Sequence, residues 1–164
     1  MKKFLTFLII FLALVLETTV LADLNFRGVL PDLLLVITVS LALLRGRKEG
    51  VLWGGVSGFF QELLIAGHTL TGYLLLKPLL GLVSGILTEK IYRENIILPA
   101  IIVFLLTFIQ EYLVLLLHNG LIANWLQASL VIIMPAAIIN FVLTLIIYPL
   151  LMKWEEREER ATFF

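Results

Sequence analysis

Six long apolar runs divide the chain, and they constrain its fold more than any other feature. The runs cover residues 4–22, 29–44, 51–66, 72–87, 96–117 and 128–152. A helix needs about 20 apolar residues to cross the hydrocarbon core of a bilayer. The runs therefore predict an all-α integral membrane protein with about six transmembrane helices. Since 61% of the 164 residues are hydrophobic, little of the chain remains for a separate catalytic domain.

The basic residues between the runs predict the orientation. On the side of both termini lie Lys2, Lys3, Arg45, Arg47, Lys48, Lys90, Arg93, Lys153, Arg157 and Arg160, whereas the other side holds Arg27. Short loops rich in Lys and Arg stay in the cytoplasm, so we expect both the N- and C-termini to be cytoplasmic. Residues 1–152 then form a single polytopic membrane domain, and residues 153–164 form a charged cytoplasmic tail.

The first run also has an alternative interpretation as a cleaved leader peptide. Lys2 and Lys3, the apolar core and the residues around Ala22 resemble such a signal, although Glu17 fits it poorly. Cleavage would leave five transmembrane helices, so whether residues 1–22 are retained stays open at this point.

Several function classes lack their sequence signatures. Twelve basic and twelve acidic residues cancel, and the chain has no cysteine. Nucleic-acid binding is therefore not expected, nor are disulfides or cysteine-ligated metals. His68 and His118 fall in predicted turns, and no metalloprotease motif is present. We predict that the protein is not an enzyme and that it needs no metal or cofactor.

Ionisable residues inside the runs are the candidate functional residues, because a charge in hydrocarbon is costly unless it is paired, neutralised or hydrated. These residues are Glu17, Glu62, Lys77 and Glu111, and Asn140 adds a polar group to the last run. One interpretation is a polar cavity or a groove that receives a partner. The other is that these side chains only hold the helices together.

Glycines at four-residue spacing predict a tight hairpin between the third and fourth helices. Gly50, Gly54 and Gly58 precede Glu62 on one helix face, and Gly81 and Gly85 follow Lys77 on the other. Small residues at this spacing let membrane helices approach closely. We therefore expect Gly58 near Gly81, Gly54 near Gly85, and an ion pair between Glu62 and Lys77 at the end of the hairpin.

A set of motif residues marks the region 30–90. They are Pro31 and Asp32 at the start of the second run, and Arg45, Gly46 and Glu49 just after its end. A glycine-rich third run with an acidic end at Glu62 follows. Together these features resemble the bacterial rod shape-determining protein MreD family.

This resemblance implies a non-enzymatic scaffold of the cell-elongation complex in the bacterial cytoplasmic (inner) membrane. It implies association with MreC, and through it with MreB, RodA and a class B penicillin-binding transpeptidase, in cell shape and peptidoglycan synthesis. The family also resembles the six-helix S-component bundle of energy-coupling-factor vitamin transporters. A substrate-binding S component is therefore the alternative function, with a small-molecule pocket among the intramembrane charges.

Overall fold

Six helices make up the part of the chain that the computed structural model describes, which is residues 2–21, 31–64, 72–88, 95–119, 127 and 129–162. Their bounds are α1 Lys2–Leu16, α2 Leu33–Arg45, α3 Arg47–Leu64, α4 Tyr73–Leu87, α5 Ile97–Asn119 and α6 Met134–Thr162. The predicted number of helices is therefore confirmed. Arg27, His68, Lys90 and Arg93, which were used above, lie outside the described residues.

Two short π-helical segments extend these helices. Glu17–Leu21 continues α1, and Ser129–Ile133 leads into α6. In the first, Thr18 and Thr19 donate their hydroxyls to the carbonyls of Leu14 and Val15, which competes with regular helical bonding. The second lies just before Pro135, whose ring excludes the normal bond to the preceding turn. Such wider turns are frequent at functional sites, and Glu17 belongs to one.

α2 lies at the centre of the bundle. Every residue from Leu33 to Leu44 is buried, and α2 contacts all five other helices. At its end, Gly46 has a φ of +89° and is the one residue between α2 and α3. Because glycine adopts this conformation without a steric penalty, the chain reverses there within a single residue.

The outer surface of the bundle is apolar. Large exposed side chains include Phe4, Leu75, Leu105 and Ile146, between 54% and 77% exposed. Two helical stretches are long and apolar enough to cross a membrane, Ile97–Leu117 and Ser129–Glu158. Leu33–Arg45 and Tyr73–Leu87 are shorter apolar helices, so they span less of the hydrocarbon layer.

Contacts between helices show that their directions alternate along the chain. Asp32 at the start of α2 contacts Asn140 of α6, and Arg45 at its end contacts Glu155. α6 therefore runs parallel to α2. Lys2 at the start of α1 contacts the same Glu155, so α1 runs antiparallel to both helices. The segment after residue 152, predicted as a tail, continues α6 as helix, and its Glu155 is buried.

Candidate functional site

Asp32 is the centre of a buried polar network at the start of α2. It is the N-cap of the helix, and its Oδ1 accepts a hydrogen bond of 2.7 Å from the backbone N–H of Leu35. Its own backbone N–H donates to Oδ1 of Asn140 at 3.0 Å. A carboxylate at this position satisfies a free backbone donor and interacts favourably with the helix dipole.

Lys77 of α4 supplies the counter-charge of Asp32. Its Nζ lies 2.6 Å from Oδ1 of Asp32, and its side chain is completely buried. Gln110 of α5 donates from Nε2 to Oδ2 at 2.7 Å. Both carboxylate oxygens therefore have donors, which a buried ion pair needs if its attraction is to offset the loss of hydration.

This pairing corrects the prediction that Glu62 is the partner of Lys77. Glu62 instead accepts a bond of 3.4 Å from the backbone N–H of Gly72, at the start of α4. The cause is the register of the hairpin, because Gly58 lies against Tyr73 rather than Gly81. That displacement of eight residues along α4 places Lys77 beside Gly54 and within reach of α2.

The hairpin itself is confirmed, and its glycines are the points of closest approach. A Cβ on Gly54 would lie 2.5 Å from the carbonyl oxygen of Lys77. One on Gly58 would lie 2.5 Å from the carbonyl of Tyr73, and one on Gly50 would overlap the carbonyl of Gly81. Gly85 packs on the backbone of Arg47 instead of near Gly54. Side chains at these positions would force α3 and α4 apart.

A second buried carboxylate, that of Glu17, joins the network from α1. Its Oε2 accepts from the backbone N–H of Leu34 at 3.3 Å, and its Oε1 accepts from Nε2 of Gln61 on α3 at 3.1 Å. Asn140 of α6 also donates from Nδ2 to Thr107 of α5 at 3.1 Å. The hydrogen-bonded polar side chains gathered around the start of α2, here called the Asp32 network, are Glu17, Asp32, Gln61, Lys77, Thr107, Gln110 and Asn140, and they come from all six helices.

Of the predicted intramembrane residues, the structure brings Glu17, Lys77 and Asn140 into this network. Glu111 lies at its margin, since its Oε1 is 3.5 Å from Nε2 of Gln110. Glu62 lies near the start of α4, where it accepts the hydrogen bond from Gly72.

Gln61 and Gln110 are the site residues that the sequence analysis missed. Each directly precedes a glutamate that was predicted as a candidate, Glu62 or Glu111. The helical rotation of about 100° per residue turns the glutamine inward. A signal was available on α5, because the small or polar residues Ala100, Thr107 and Gln110 share one helix face at spacings of seven and three residues. All three are buried. In the described part of the chain, the side-chain oxygens of Gln61 and Gln110 have no hydrogen-bond partner.

The family-motif residues at the other end of α2 form a second cluster. Arg45 donates from Nε to Glu155 at 2.7 Å and from Nη1 to Thr6 at 2.8 Å, and it lies 3.6 Å from Glu49. Lys2 also contacts Glu155, at 2.7 Å. These five residues, here called the Arg45 cluster, connect α1, α2, α3 and α6.

The chemistry of the Asp32 network is that of mutual neutralisation and hydrogen bonding. Among the residues that the structure describes, no three His, Cys, Asp or Glu residues are placed to hold a metal ion. The network fixes how six helices lie relative to one another, because each member bonds to a helix other than its own.

Apolar side chains outside and hydrogen-bonded polar groups inside define a helical protein adapted to lipid, in which polar groups must be satisfied internally. The comparison of the sequence with family models gives the particular family. The model of rod shape-determining protein MreD matches residues 1–156 of the 164-residue chain. The chain therefore belongs to the MreD family, a family of membrane proteins that determine rod shape. No curated protein and no solved structure matches it significantly.

Proposed function

We propose that this protein is a non-enzymatic, multi-pass scaffold of the rod complex in the bacterial inner membrane, with cytoplasmic termini. In this role it associates with MreC, and through it with MreB, RodA and a class B penicillin-binding transpeptidase, in peptidoglycan synthesis. The observation that carries the proposal is the family match over nearly the whole chain. The vitamin-transporter alternative gains no support from this match and is not part of the proposal.

The geometry supports a scaffold because the buried polar groups are used for internal contacts. Lys77 and Asp32 neutralise each other, and Glu17 is held by α2 and α3. A rigid bundle then offers its apolar exterior to the membrane helices of partners. One concave part of that exterior is a slot of about 270 Å³ between α5 and α6, lined by Ile101, Phe104, Ile138 and Phe141.

Site-specific photo-crosslinking in living cells tests the association. A crosslinking amino acid replaces Ile138, which is half exposed at the α5–α6 slot, or Leu75, which is 77% exposed on α4. We expect a covalent adduct with MreC from position 138 and a much weaker one from position 75. Adducts are identified by mass spectrometry after purification through a C-terminal tag.

Two results would contradict the proposal. The first is no adduct with MreC from any exposed position on the six helices, although the tagged protein restores rod shape to cells that lack the native one. The second is specific recovery of the membrane subunit and ATPases of an energy-coupling transporter. A tagged membrane protein of unrelated family, expressed to the same level, controls for chance contacts.

A further inference from the structure

A cavity at the Arg45 end of the bundle has no part in the proposed scaffold function. Its volume is about 520 Å³, and its lining includes Lys2, Lys3, Arg45, Arg47, Glu49 and Glu155. This volume lies within the range of small-molecule sites, roughly 300 to 1,000 Å³. Four of these six side chains are cationic and two are anionic, so the charged lining has a net positive charge.

The two acidic side chains are already occupied. Glu155 binds both Arg45 and Lys2, and Glu49 accepts a bond of 2.8 Å from the indole of Trp53 and lies near Arg45. Within the described residues, Lys3 and Arg47 have no such partner. Both are exposed at the cavity. Gly46 also lines the cavity, and the space beside it is open, since a Cβ there would meet nothing within 4 Å.

The surroundings of the cavity match the headgroup level of a membrane. Lipid-exposed apolar side chains begin within two turns of it, on α1 at Phe4, on α3 at Leu52 and on α4 at Ile86. The ring of Trp154, over which Arg45 lies at 5.0 Å, is typical of the membrane interface. Basic pockets between membrane helices at this level bind the phosphate groups of anionic lipids.

We propose that this cavity binds the phosphate headgroup of an anionic phospholipid, with Lys3 and Arg47 as its ligands and the acyl chains against the apolar surface of α1, α3 and α4. The bound lipid then connects Lys3 of α1 with Arg47 at the α2–α3 turn. No direct side-chain contact within the described residues makes that connection. Arg45, Glu49 and Glu155 of the Arg45 cluster line the same cavity. The two carboxylates there are already engaged by Arg45, Lys2 and Trp53.

The test measures the rise in the melting temperature of the purified protein as phosphatidylglycerol is added to mixed micelles. Phosphatidylcholine, inorganic phosphate and glycerol 3-phosphate serve as the comparison additives. Each basic residue near an anionic surface is worth about a fivefold change in affinity. We therefore expect the double variant Lys3→Gln and Arg47→Gln to need roughly twenty-five-fold more phosphatidylglycerol for the same shift.

Lys48→Gln is the matched control, because Lys48 is exposed beside Arg47 but does not line the cavity. This variant should respond like the wild type. An equal loss in Lys48→Gln would reduce the effect to general surface charge and overturn the site. An equal response to phosphatidylcholine would do the same. A full response to inorganic phosphate or glycerol 3-phosphate would show a site for soluble phosphate and overturn the assignment to a lipid.

Discussion

The two ends of α2 present opposite solutions for holding charged groups in a membrane helix bundle. At the start of the helix, Asp32 and Lys77 are 7% and 0% exposed and bind each other. At its end, Arg45 and Glu155 are each 7% exposed, but Lys2 is 39% exposed and an open cavity lies alongside.

Each end of α2 carries the charge that the helix dipole favours. The N-terminus has the Asp32 carboxylate, and the C-terminus has the Arg45 cation. The difference is access to water. A charge in the sealed pair is neutralised by its protein partner alone. At the interface, water can take the place of a lost partner. The same helix therefore has one end fixed by internal contacts and one end open to exchange with its surroundings.

The largest expected effect is at the sealed end. Lys77→Met leaves the Asp32 carboxylate buried without its counter-charge, which costs about 3 to 5 kcal/mol in comparable cases. We expect this loss in the free energy of unfolding, measured by reversible denaturation in mixed micelles. The loss should shrink in an Asp32→Asn background, where the N-cap and an acceptor for Gln110 remain. A loss below about 1 kcal/mol in the native background would show that the pair is hydrated.

A smaller effect tests the register that brings Lys77 to Asp32. Gly54→Ala places a methyl group 2.5 Å from the carbonyl oxygen of Lys77, so the hairpin must open. Overpacking of this kind typically costs about 1 to 3 kcal/mol, again measured as the free energy of unfolding.

Gly55→Ala is the matched control for that substitution, because a Cβ there meets nothing within 4 Å. It should be neutral or slightly stabilising, since alanine favours helix more than glycine does. If both variants lost the same stability, the close approach of α3 to α4 would be wrong.

The smallest effect is expected at the open end. Lys2→Met removes one of the two cations on Glu155, but Arg45 remains as its partner. Partly exposed ion pairs contribute about 0 to 1 kcal/mol, so the change in unfolding free energy should be within this range. A loss as large as that of Lys77→Met would remove the distinction between the two ends.

The sequence predicted the six helices and the α3–α4 hairpin, because apolar runs and glycine spacing are local signals. It did not predict the register of the hairpin. Glycines that repeat every four residues are compatible with several alignments of the two helices, so their spacing alone does not distinguish Gly81 from Tyr73 as the neighbour of Gly58. The choice depends on Asp32, which lies on a third helix and was included only as a family-motif residue. Pair-by-pair comparison of α3 with α4 could not show that contact.

The enclosed position of α2 has a consequence for how the protein is made. Asp32 and Lys77 are 45 residues apart in the sequence. A ribosome adds about 5 to 20 residues per second, so Lys77 emerges from the ribosome roughly 2 to 9 seconds after Asp32. During that interval the Asp32 carboxylate lacks its counter-charge from α4, and burying a charge without a partner is costly. Synthesis of α4 is therefore the step that completes the insertion of α2, and the order of translation becomes part of the assembly of the bundle.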